Sequence, residues 1–182
     1  MKINVSKWAG VSLALSLLFL NSLSAGATTT VKDTKYQISN YFCKHPWLGL
    51  LSNEIHYGPI TISEVNIHDG DKLAIAAPGE ALRGSLRYKI DSKDLKMFHP
   101  YHLVVGIKGI GAQDCVTHTF GIADSSGKGS FTLTAPMKPG VYEVRFFYSE
   151  APLCEQVREL WDSENLEPSS KATIGIIIVE DV

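Results

Sequence analysis

The chain has 182 residues, with 17 basic and 19 acidic side chains and a formal charge of −2, which suits one domain and a targeting segment. No basic stripe runs through it, so nucleic acid is not an expected partner. Beyond the first 27 residues no stretch is long and apolar enough to span a bilayer.

At the N-terminus, MKINVSKWAGVSLALSLLFLNSLSAGA, Lys2 and Lys7 accompany an apolar run from Trp8 to Leu20. That run has the length of a signal-peptide core, and Ala25-Gly26-Ala27 fits the small-x-small cleavage rule. We expect residues 1–27 to be a signal peptide; its removal takes away Lys2 and Lys7 and moves the formal charge from −2 to −4. The product is then exported, to the periplasm or out of the cell. The remainder has no Asn-x-Ser/Thr acceptor, in keeping with a bacterial route. In an oxidising compartment, Cys43, Cys115 and Cys154 allow one internal bridge and one leftover thiol. Cys115 and Cys154 lie inside the patterned region, so we favour that pair with Cys43 left over, although spacing alone does not fix connectivity.

Residues 28–57 are expected to form an irregular N-terminal covering segment. Tyr41, Phe42, Trp47, Leu48, Leu50 and Leu51 give it more apolar surface than a free tail carries. From Gly58 to Val182 the chain becomes a series of short strands. Ile60 and Ile62 differ in parity from Val65 and Ile67, which predicts a bulge near Ser63-Glu64. His68-Asp69-Gly70-Asp71 is a turn, and Leu73–Ala77 a short strand stopped by Pro78-Gly79. Leu82, Leu86, Tyr88 and Ile90 alternate with Arg83, Ser85, Arg87 and Lys89, the mark of a strand with one wet face. Ser92–Lys96 can make one helical turn. Tyr101, Leu103, Val105 and Ile107 form the expected inner face of the next strand, which leaves His102 and Val104 outside. Val116–Phe120 is a short strand, and Asp124–Gly129 a loop rich in turn formers.

Gly129–Glu150 reads as two strands joined by a tight turn at Pro136, Pro139 and Gly140. In the second, Tyr142, Val144, Phe146 and Tyr148 share the face that can bury, while Val141, Glu143, Arg145 and Phe147 share the other. Glu143 and Arg145 are expected to form a solvated pair of little energetic weight. The single helix signal starts at Ser149–Pro152 and carries Cys154, Val157 and Trp161. A last strand, Ala172–Val179, is apolar on both sides, as a central or covered strand would be.

This succession, with no strand–helix alternation, indicates an all-β, antiparallel sandwich with one short helix before the last strand. Gly140-Val141-Tyr142-Glu143-Val144 resembles the Gly-x-Tyr-x-Cys stretch of strand F in immunoglobulin-like and fibronectin-III-like sandwiches. Val144 stands where the family's cysteine would be. The resemblance implies that Tyr142 is a corner tyrosine whose hydroxyl bonds back to backbone. It implies no particular activity.

No catalytic constellation stands out. The Gly-x-Ser-x-Gly elbow is missing, and Cys115 and His118 lie three apart on a strand, hence on opposite faces. Two binding readings follow. In the first, the protein is non-catalytic and holds a protein or glycan partner through loops or an aromatic-bearing face with Trp47, Phe147 and Tyr148, and no cofactor is needed. In the second, Met97, His99, His102 and His118 bind copper or zinc. If export follows the expected route, N-terminal sequencing of the cell-exported protein should begin at Thr28; a chain still starting at Met1 contradicts it.

Overall fold

Alternation along the strand from Ala81 to Ile90 sets the first sheet: Leu82, Leu86 and Ile90 are buried while Ala81, Arg83, Ser85, Arg87 and Lys89 are exposed. The computed structural model describes residues 52–68, 71–91, 100–120, 126–161 and 168–180, with backbone alone for 117–120. Its strands are β1 (Glu54–Tyr57), β2 (Ile60–Ile67), β3 (Leu73–Ala76), β4 (Ala81–Ile90), β5 (Pro100–Ile107), β6 (Gly111–Phe120), β7 (Ser126–Thr134), β8 (Gly140–Glu150) and β9 (Thr173–Val179). One helix, α1 (Cys154–Trp161), and a 3₁₀ turn (Ser170–Ala172) lie between β8 and β9. The sheets are ordered β1-β2-β4-β7 and β3-β9-β8-β5-β6.

The fold is all-β: two sheets face each other with an apolar interior between them, as in immunoglobulin-like sandwiches. The first sheet contributes Ile60, Ile62, Leu82, Leu86, Phe131 and Leu133, and the second Leu103, Val105, Ile107, Val144, Phe146 and Ile177. In the second sheet β8 lies between β5 and β9, the order of strands C, F and G. Near the start of β8, the Tyr142 hydroxyl donates to the Lys138 carbonyl at 2.7 Å, back across the proline turn.

The β2 bulge falls between Ser63 and Asn66, with Glu64 at φ 48°. It restores parity, so Ile60, Ile62, Val65 and Ile67 are all buried. β9 lies between β3 and β8 and is buried along its whole length.

Several expectations need correcting. β7 and β8 do not form a hairpin: β7 pairs with β4 and β8 with β5 and β9, so the turn at Pro136–Pro139 carries the chain from one sheet to the other. The sandwich is not wholly antiparallel, because β3 runs parallel to β9. Ser126–Gly129, expected in a loop, belongs to β7, and the strand ending at Phe120 begins already at Gly111. Glu54–Tyr57, assigned to the covering segment, is an edge strand paired with β2. Residues 28–51 of that segment and the turn at Ser92–Lys96 lie outside the described residues.

Phe146 is fully buried between the sheets, with Tyr57 edge-on to it at 6.1 Å. Phe146→Ala should therefore cost about 3–5 kcal/mol in a denaturant titration, whereas a loss under about 1 kcal/mol would contradict its place in the core.

Candidate functional site

The outer face of the five-stranded sheet was the surface expected to be wet or partner-facing. Three different environments divide it. At the β5–β6 end, α1 lies on the sheet. Val104 and Ala151 are buried with Val157 and Trp161 from the helix, and Phe147 stands edge-on to Trp161 at 6.5 Å. Cys115 on β6 is disulfide-bonded to Cys154, the first residue of α1. On the chain-entropy account a loop of this size, 39 residues apart in sequence, adds about 4 kcal/mol. His102 also lies beneath this cover, 8 % exposed, its Nε2 donating to the Ala151 carbonyl at 3.0 Å. The expectation that His102 and Val104 face water is corrected: an outward parity on β5 leads under the helix.

In the middle of the face, Glu143 and Arg145 are 4 % and 3 % exposed, not the solvated pair expected. Arg145 donates through Nε and Nη2 to Glu143 Oε2 at 2.8 and 2.6 Å, and through Nη1 to the Pro168 carbonyl. The Thr173 hydroxyl donates to the same Glu143 oxygen at 3.0 Å, and Lys108 Nζ stands 4.0 Å from the other. The bonds from Arg145 to Pro168 and from Thr173 to Glu143 hold the segment entering β9 against the sheet, and the Glu143 carboxylate balances the buried guanidinium.

At the far end the face turns apolar. Register places Leu73 beside Ile176 and Ile75 beside Ile178, all pointing outward. Ile176 and Ile178 are buried, but Leu73 is 42 % and Ile75 58 % exposed. Ala74 and Ala76 point inward into the core. The backbone follows the same alternation. Ile176 N–H donates to Lys72 O at 2.7 Å and Glu180 N–H to Ala76 O at 3.1 Å, so the even-numbered residues of β3 bond to β9. The N–H and C=O groups of Leu73 and Ile75 point away from the sheet.

Other edges are guarded. Asp114 Oδ2 accepts from Thr132 N–H at 2.7 Å and Gln113 Oε1 from Thr134 N–H at 2.6 Å, so β6 side chains fill the open side of β7. β1 carries Glu54 and His56, the kind of charged and polar residues that discourage strand addition. β3 reads Leu-Ala-Ile-Ala, with no charge and no proline. Beside its start, a cavity of about 350 Å³ is lined by Asn53, Glu54, Ser63, Glu64, Val65, Asp71 and Lys72. Glu64 is already engaged by Arg87 and Lys128. Burial pulls the Lys72 ammonium below its ordinary value, opposed by Asp71.

The two described aromatic site residues are divided between the faces of β8. Phe147 packs under α1, and Tyr148 lies on the other face, edge-on to Tyr57 at 6.3 Å and above Gly58. Trp47, Met97 and His99 lie outside the described residues. Backbone register sets His118 opposite His102. Among the described residues no group of three or more His, Cys, Asp or Glu side chains could hold a metal, and Cys115 is committed to sulfur.

The arrangement defines an immunoglobulin-like β-sandwich in which, among the described residues, β3 presents an open, apolar edge. No family profile matches the chain, and no curated protein matches it in sequence. Among solved structures it is similar to the CARDB domain of a Pyrococcus furiosus protein, solved in complex with di-metal ions. Identity is 12 %, with 74 % of this chain and 97 % of that one covered and a TM-score of 0.32.

Glu143→Gln keeps the shape and leaves the Arg145 guanidinium buried without its counter-ion. We expect a loss of about 3–5 kcal/mol in chemical denaturation; a change within about 0.5 kcal/mol would show that the pair does not hold the β9 entry in place.

Proposed function

We propose that this protein is an exported β-sandwich that binds a protein partner by strand addition at β3. The observation that carries the reading is the exposure of Leu73 and Ile75 on an edge strand whose outward backbone groups bond to nothing else in the sheet. An extended segment laid along that edge gains main-chain hydrogen bonds and apolar cross-strand contacts together, which is how strand addition combines affinity with specificity. Export is supported by the N-terminal leader pattern and by the Cys115–Cys154 bridge, a bond that persists in oxidising compartments. A protein partner is favoured over a glycan because Phe147 and Tyr148 lie on opposite faces of β8, each in T-shaped contact with a neighbouring ring, so they form no shared stacking platform for a sugar.

Panning a displayed random-peptide library against the mature protein tests this. The selected peptides should be strand formers with alternating apolar residues, and Ile75→Lys should abolish their capture while leaving thermal stability unchanged. Peptides without that pattern, or equal capture by the Ile75→Lys protein, would overturn the reading.

A further inference from the structure

The open groups of β3 fit one register of self-pairing. We infer that β3 pairs antiparallel with β3 of a second copy, about a two-fold axis through Ala74; this rests on the reading of β3 as the docking edge.

Residues whose backbone points out of an edge form the hydrogen-bonded pairs of an added antiparallel strand, each pair exchanging two N–H···O bonds. On β3 these are Leu73 and Ile75. Three two-fold registers bring outward residues together. With the axis at Leu73, Ile75 would face Asp71, whose carbonyl already accepts from Ile67 N–H at 2.8 Å. With the axis at Ile75, Leu73 would face Ala77, whose N–H already donates to Glu80 Oε2 at 2.8 Å. Only the axis at Ala74 sets Leu73 against Ile75 of the other copy, twice over, and every group it uses is open. Those two pairs exchange four hydrogen bonds.

The same register settles the side chains. Leu73 and Ile75, the exposed apolar residues of the strand, come to lie directly across from Ile75 and Leu73 of the second copy on the outer face. Neighbouring apolar pairs of this kind stabilise a sheet. Ala74 meets its own copy on the inner side, where a small residue leaves room. A two-fold contact uses one patch twice and closes on itself, so it gives a dimer and not a fibre. The two five-stranded sheets become one continuous sheet, and the one edge free of charge and proline is covered.

Sedimentation velocity of the mature protein over a wide concentration series tests the inference. The wild-type chain should pass from monomer to dimer and stop there. Ile75→Lys brings a cation against Leu73 of the other copy at both pairs and should weaken the dimer by more than about tenfold. Ile75→Pro removes only an outward N–H, which an edge strand tolerates, and should leave a folded monomer by circular dichroism. A wild-type chain that stays monomeric throughout overturns the inference, and so does a dimer that survives Ile75→Lys. In the first case, peptide capture at β3 that is still abolished by Ile75→Lys would leave the docking reading standing with a different partner. Loss of both would remove both.

Discussion

A close packing constraint sits at the corner where β2 passes into β3 beside β9. A Cβ built on Gly175 would lie 2.3 Å from Ile67 Cδ1 and 2.5 Å from the Lys72 carbonyl. The sheets meet there with no room for a methyl group. The inward side of β3 carries Ala74 and Ala76, both in the core. A strand has only two faces. Once the alanines are inside, Leu73 and Ile75 must stand outside, exposed. The apolar edge thus follows from the alternation that turns the alanines into the core.

The rest of the outer face shows what becomes of apolar or charged groups when the chain can cover them. At one end a short helix, fastened through Cys115 and Cys154, lies over Val104 and Phe147. In the middle, a buried carboxylate gathers a guanidinium and a hydroxyl, and the guanidinium holds the Pro168 carbonyl. Such a cluster is costly to assemble and costlier to break, because a lone buried charge cannot be left unpaired. Both devices pin the segment between β8 and β9 across the sheet. Neither reaches β3. The remaining edges are closed by other means, most plainly by Gln113 and Asp114, which bond to the β7 backbone as a neighbouring strand would.

Much of this was legible in the residues. The alternation of β4, the parity break at Ser63-Glu64 and a buried last strand all appear in the sequence, because each is local or depends on period alone, whereas the Cys115–Cys154 pair is favoured because both residues lie in the patterned region. What stayed hidden depends on what lies opposite a residue. His102 and Val104 have outward parity, yet a helix from fifty residues downstream covers them. Glu143 and Arg145 read as solvent-facing on the same ground, and only the path of Pro168–Thr173 shows otherwise. Leu73 and Ile75 invert the usual rule, since nothing in Leu-Ala-Ile-Ala reveals that the alanines and not the larger residues face the core. The aromatic reading rested on residue type without position: Phe147 and Tyr148 fall on opposite faces, each with a packing partner.

Amide hydrogen exchange along β3 tests the central claim most directly. In dilute protein the amides of Ala74 and Ala76, which face β9, should be protected, while those of Leu73 and Ile75 exchange at nearly free-peptide rates. Equal protection of all four, or protection of Leu73 and Ile75 in place of the alanines, would mean that this strand does not present an open edge, and the account built on it would fail.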